Sequence, residues 1–237
     1  MSSSKGALFV AALMLPQTAF AQSALCRLPQ RLPDARPEYP PRAQDVRPTK
    51  VTNYLLTLSW SPGHCRSERN RDSTQCDGSA GRFGFVLHGL WPETDGPAYP
   101  QWCAPVPALS RQIIRENFCM TPSVDLLQHE WAKHGSCMTR DPQKYFRPAR
   151  IMYEAIRYPD MDRMSRDRNL TVGTFRLNFA RANKGIRPDM IQVAKTKENW
   201  LDEVRICLAK DFKPQRCPAH VRMPSDRSKL KIWRGGR

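Results

Sequence analysis

The chain has 237 residues, 40% of them hydrophobic, with eight cysteines and a formal net charge of +16. This length suits one domain with a sizeable core, and no stretch is apolar for long enough to cross a bilayer as a helix. The basic balance raises the encounter rate with polyanions and makes such binding salt-sensitive, which favours a nucleic-acid substrate without proving one.

Met1–Lys5 is short and polar, Ala7–Leu15 is apolar, and Ala19-Phe20-Ala21 has the A-x-A form of a cleavage site. That order predicts a signal peptide over residues 1–21, and hence a secreted or periplasmic protein with no membrane anchor. All the cysteines (Cys26, Cys65, Cys76, Cys103, Cys119, Cys137, Cys207 and Cys217) lie beyond the cut. An even count in an exported chain reads as disulfides, and no C-x-x-C pair suggests structural zinc.

Residues 22–50 carry six prolines between Pro29 and Pro48, which predicts an extended N-terminal arm with Cys26 pinning its start. The remainder, 51–237, reads as one catalytic domain. Val51–Trp60 reads as a strand running into a Ser61-Pro62-Gly63 turn, and residues 64–81 as a polar loop. Arg82–Gly89 reads as a second strand, ended by Gly89 and Pro92, with His88 at its exit. A Pro/Gly-rich loop over 93–107 holds Tyr99, Trp102 and Cys103.

Ser110 is a candidate N-cap for a short helix to Phe118, and Val124–Gly135 reads as a second helix stopped by Gly135 in a left-handed cap. Apolar residues at helical spacing predict a third helix over Pro142–Ile156, and a fourth is expected over Thr174–Ala182. Two strands follow, Asp189–Ala194 and one within 200–210 that sends Val204, Ile206 and Leu208 to one side. The basic tail 221–237 offers a last strand around Leu230–Trp233. Strands and helices in mixed order, without βαβ regularity, predict an α+β fold with helices around a central antiparallel sheet.

Of the five histidines, two fall in His129-Glu130-Trp131-Ala132-Lys133-His134, and His88 falls in His88-Gly89-Leu90-Trp91-Pro92. The first segment invites comparison with the zinc motif H-E-x-x-H, but Lys133 stands at i+4 and the second histidine at i+5, so the rings diverge on a helix. Glu130 instead shares a face with His134 and Lys133. A carboxylate, an ammonium and an imidazole suit phosphoryl chemistry: His134 can move a proton, Lys133 can stabilise charge on phosphorus, and Glu130 can orient and tune either. Spacing alone does not separate this from a solvated helix face whose ion pair adds little.

Phe85-Val86-Leu87-His88-Gly89-Leu90-Trp91-Pro92 and His129-Glu130-Trp131-Ala132-Lys133-His134-Gly135-Ser136-Cys137 resemble the two active-site segments of the ribonuclease T2 family. Trp60–Cys65, Glu203–Cys207 and Cys217 extend the likeness, which covers most of residues 51–217. The resemblance implies an endoribonuclease that cleaves single-stranded RNA through a 2′,3′-cyclic phosphate, without metal or cofactor. His134 would be the general base on the 2′-OH and His88 the general acid on the leaving 5′-oxygen. Glu130 and Lys133 would stabilise the transition state, and His129 would hold the phosphate. Trp91, Glu93 and Tyr99 would contact a base, although Trp91 and Tyr99 also read as a core aromatic and a loop anchor, and Glu93 replaces an aspartate common in the family. DNA, lacking the 2′-OH, would not be cleaved, and the protein would act as a monomer. The family pattern implies disulfides Cys103–Cys137, Cys207–Cys217 and Cys65–Cys76, leaving Cys26–Cys119. His64 and His220 are expected at the surface. A rival from another class is an exported RNA-binding or signalling protein that keeps the fold without catalysis; a host-directed toxin would still be a ribonuclease.

Overall fold

Alternating and β-branched sequence builds the sheet expected. In the computed structural model, which describes residues 26–221 and 223–235, four strands pair antiparallel in the order β2-β1-β4-β3. They are β1 (Asn53–Trp60), β2 (Phe85–Glu93), β3 (Ile191–Lys195) and β4 (Leu201–Leu208). The expected signal peptide lies outside the described residues. On β4, Val204, Ile206 and Leu208 join Leu56 and Leu58 of β1 in the main core. Period-2 alternation sends Glu203, Arg205 and Cys207 to the opposite face, where Cys207 packs with Leu55 and Trp91.

Two bulges break this alternation. Thr57 and Leu58 of β1 face Gly89 and Leu87, so His88 is an extra residue on β2. The strand therefore does not end at Gly89, as expected, but bends there and runs on to Glu93, with Pro92 facing Tyr54. A bulge absorbs the kink that the glycine and proline signal, and β2 is an edge strand, where a missing N–H is tolerated. The second bulge is on β4: Ala194 faces Glu203 and Lys195 faces Leu201, leaving Asp202 unpaired. Leu201 consequently turns to the core with Val204.

The helices are α1 (Ser61–His64), α2 (Arg111–Asn117), α3 (Val124–Lys133), α4 (Pro142–Ala155), α5 (Met161–Arg166) and α6 (Val172–Ala182). Ser110 caps α2 as expected, its side chain accepting from the Ile113 N–H, and Ser123 caps α3. The expected Ser61-Pro62-Gly63 turn tightens into α1, and α6 starts earlier than predicted because Thr171 supplies its cap. Helix α5 was not anticipated; six residues with two buried methionines are too short to show a period.

Gly135 does not take the left-handed cap expected of it. The chain continues into a 3₁₀ turn over Gly135–Cys137. Close packing explains the glycine instead: a Cβ would lie 2.3 Å from Trp131 Cε3 and 3.0 Å from Tyr145 Cγ. The tail also departs from expectation. Leu230 and Ile232 are buried, but 229–231 make only isolated bridges to Thr171 and Trp200, not a strand.

Four disulfides form: Cys65–Cys76, Cys103–Cys137 and Cys207–Cys217, the pairings the family pattern implied, and Cys26–Cys119, the pair left over. Residues 26–50 run extended over the body apart from a 3₁₀ turn at Ala43–Asp45. Arg47 exchanges backbone hydrogen bonds with Gln101, and Asp34 pairs with Arg111.

Candidate active site

The β2 bulge re-aims His88 off the sheet edge toward α3, and its imidazole ends between two carboxylates. Its Nδ1 lies 2.6 Å from Glu203 Oε1 on β4, and its Nε2 lies 3.5 Å from Glu130 Oε1 on α3. Ser59 on β1 donates its hydroxyl to Glu203 Oε1 at 3.3 Å, and Arg205 binds the other Glu203 oxygen at 2.6 Å. The Nε2 contact is too long for a strong hydrogen bond, so that nitrogen is the one available to a substrate oxygen.

Glu130 is almost wholly buried, and its Oε2 accepts from Trp91 Nε1 at 2.7 Å. Gly89 makes this possible. A Cβ there would sit 1.9 Å from Glu130 Oε2 and 2.8 Å from Trp91 Nε1. The Trp91 ring meets His88 edge-on, with centroids 5.1 Å apart, and stacks on His134 at 5.3 Å. One indole thus spaces both imidazoles and holds the carboxylate, while Arg205 lies 5.0 Å from its centroid.

His134 follows α3 as its C-cap residue and is only 2% exposed. Its Nδ1 has no hydrogen-bond partner among the described residues. Tyr99, on the loop after β2, approaches the ring more loosely, with centroids 6.3 Å apart. His129 and Lys133, one turn apart on α3, line a groove of about 330 Å³ together with Tyr99, Arg47 and Trp102. Lys133 makes no ion pair among the described residues, whereas His129 Nδ1 lies 2.7 Å from Glu38 of the arm. Arg47, also from the arm, lies 4.7 Å above the Tyr99 ring.

The two imidazoles are biased in opposite directions. Burial would lower the His88 pKa, but the hydrogen bond to Glu203 and the charges of Glu130 and Glu203 outweigh it and raise it. Burial drives His134 well below the ordinary histidine value, and the positive Lys133, His129 and His88 push the same way. Burial raises Glu130, against the opposing pull of His88, His129, the Trp91 hydrogen bond and Lys133. Burial would raise Glu203 too, but His88 and Arg205 hold it at about 2. Glu93 is pushed up to about 7 by burial, with Arg205 opposing.

His88, Glu130, His134 and Trp91 therefore converge, Lys133, His129 and Tyr99 line the adjoining groove, and Glu93 stands at the end of β2. His64 and His220 are exposed, as expected. Sequence reading missed Glu203, Ser59 and Glu38. Only Glu203 left a signal: an acid on a strand, on the face opposite the core-facing Val204, Ile206 and Leu208, two residues before an arginine.

Residues 51–217 match the Ribonuclease T2 family. The chain is 35% identical over 130 residues to a probable ribonuclease of Haemophilus influenzae, the match covering 49% of this chain and 47% of that protein. It is 42% identical over 84 residues to a ribonuclease of Aeromonas hydrophila, covering 35% of this chain and 36% of that one. The match thus spans less than half the length of either relative. A solved structure of RNase NT in complex with 5′-AMP superposes with a TM-score of 0.60 at 18% identity, covering 78% of this chain and 98% of that one. An RNase-related protein from Calystegia sepium gives 0.61 at 20% identity, over 77% and 98%. These structures share the fold, and the sequence match over most of the chain shows that it belongs to the ribonuclease T2 family.

Proposed function

We propose that this protein is an exported endoribonuclease that cleaves single-stranded RNA by proton transfer between two histidines, without a metal. The observation that carries the reading is the opposite electrostatic bias of His88 and His134. Two titratable groups driven apart by their surroundings are suited to be an acid and a base at the same pH. At neutral pH His134 is the uncharged imidazole and takes the proton from the ribose 2′-OH. The 2′-oxygen then forms its bond to phosphorus as the bond to the 5′-oxygen breaks. His88, kept protonated by Glu203, delivers its proton to the departing oxygen. A 2′,3′-cyclic phosphate results, and water opens it to a 3′-phosphate with the two roles exchanged.

Lys133, free of any ion pair within the described residues, stabilises the charge that develops on phosphorus, together with Glu130. His129 borders the same groove and holds the phosphate. The ribose approaches His134 from the Tyr99 side, where the covering contact is loosest. Trp91 already braces both imidazoles and Glu130, so base stacking falls mainly to Tyr99, with Glu93 bordering the site. Four disulfides suit an oxidising compartment outside the cytosol, and among the described residues no helix is long and apolar enough to cross a membrane.

The test is an RNA cleavage assay of the protein in EDTA beside His88→Ala and His134→Ala. Cleavage in EDTA that both substitutions abolish, with cyclic phosphate ends among the products, is expected. Undiminished cleavage by either variant overturns the histidine roles, and loss of activity in EDTA overturns metal independence. Cleavage of a DNA strand would remove the 2′-OH as nucleophile.

A further inference from the structure

We propose a second RNA-binding subsite, built by the basic tail at the start of β4, which grips substrate nucleotides beyond those at the scissile bond. The inference rests on the ribonuclease reading and extends it along the strand. Trp200 immediately precedes β4. Two residues, Leu201 and the bulged Asp202, separate Trp200 from Glu203, which puts the patch about 10 Å along the strand from the carboxylate that holds His88.

Trp233 crosses Trp200 edge-on with centroids 5.6 Å apart. It is fixed in place because its carbonyl accepts from Trp60 Nε1 at 2.6 Å. Arg66 lies 4.6 Å from the Trp200 ring and 5.0 Å from the Trp233 ring, and the Lys231 ammonium lies 4.3 Å from Trp200. Both rings border a pocket of about 410 Å³ shared with Lys229 and Arg234. Arg234 is paired with Asp162. Arg66, Lys229 and Lys231 make no ion pair among the described residues, although Glu198 is close enough for Arg66 and Lys231 to lower its pKa.

Indole faces and guanidinium planes offer stacking to any base, and unpaired cations offer contacts to phosphates. That combination fits a flexible polyanion with aromatic bases better than it fits an acidic peptide. Lys231 and Trp233 lie beyond residues 51–217, the part of the chain that matches the family, whereas Arg66 and Trp200 lie within it.

The test compares the protein with the double variant Arg66→Ala/Lys231→Ala, and with Lys229→Glu as a milder surface change, on a dinucleotide and on a long single-stranded RNA. For the double variant, kcat/KM on the long RNA is expected to fall about 5- to 100-fold, the scale of losing a stacked base. Its salt dependence should become shallower by about 0.7 in log–log slope per lost phosphate contact. Dinucleotide cleavage should not change. Equal losses on both substrates, or none on either, overturn the subsite. If the unsubstituted protein cleaves neither substrate, the ribonuclease reading fails, and the subsite is judged by anisotropy of a labelled oligodeoxynucleotide. Weaker binding by both variants supports it and unchanged binding overturns it. Binding to anionic phosphatidylglycerol vesicles with none to the oligonucleotide overturns it in favour of a membrane surface.

Discussion

Replacing Glu203 with glutamine keeps the shape of the side chain and removes its charge, which isolates what that charge does for His88. The bond between His88 Nδ1 and Glu203 Oε1 is 2.6 Å long and little exposed on the Glu203 side. Hydrogen bonds to charged groups contribute about 1.5–3 kcal/mol, so the proton affinity of His88 should fall by a factor of about 10 to 100. Arg205, which now binds the other Glu203 oxygen at 2.6 Å, loses its counter-charge and adds to the effect. The alkaline limb of the pH–kcat/KM profile should therefore move to lower pH. Activity should fall steeply above neutrality and much less in acid, where His88 stays protonated without help. Measuring kcat/KM on an oligoribonucleotide across the acid, neutral and alkaline range gives the limb, and proton NMR of the His88 ring gives the titration independently. Glu203→Asp, which restores the charge, should recover part of the lost activity. An alkaline limb that stays in place while activity drops uniformly would show that Glu203 is not what keeps His88 protonated.

Gly89→Ala should lower kcat by about 100-fold, the scale of a misplaced catalytic group, because its Cβ would overlap Glu130 Oε2 at 1.9 Å; an active variant with a normal profile would show that Glu130 need not sit there. Glu203 also sets a stability window. Its folded-state pKa of about 2 lies below the ordinary 4.5, so its contribution is fully present above that ordinary value and is lost as pH falls through about 2. The gap corresponds to about 3 kcal/mol, and denaturant melts in acid should show Glu203→Gln losing less stability on acidification than the parent. Selective removal of one bridge with Cys103→Ser/Cys137→Ser should reduce activity while far-ultraviolet circular dichroism stays near native, since that bridge ties the loop after β2 to the end of α3. Loss of secondary structure ahead of activity would contradict this.

Much of the site could be read from the sequence because its parts come from two short segments. Helical spacing put Glu130 and His134 on one face, and the structure buries both against Trp91. What spacing could not show was the partner across the sheet. Glu203 meets His88 only because β4 lies beside β1, a pairing between segments far apart in the chain. The bulge at His88 was hidden for a related reason: glycine and proline mark a departure from regular pairing, and the sequence does not say whether the strand stops or kinks. Gly135 misled in the same way, its smallness serving the Trp131 ring and not a left-handed turn. The arm was legible as extended, but nothing in its prolines indicated that Glu38 would reach His129.

The cysteine connectivity has a consequence for how the chain matures. Only Cys65–Cys76 and Cys207–Cys217 join cysteines that are neighbours in sequence. Cys26–Cys119 encloses the first of these and interlocks with Cys103–Cys137, because Cys103 lies inside the larger loop and Cys137 outside it. An oxidant that pairs thiols in order of emergence would join Cys26 to Cys65 and Cys76 to Cys103, cross-linking the arm to the wrong loop. Reaching the native set from there takes thiol–disulfide exchange as well as oxidation. Production of the active protein should accordingly depend on disulfide isomerase capacity in the host more than on its oxidising power.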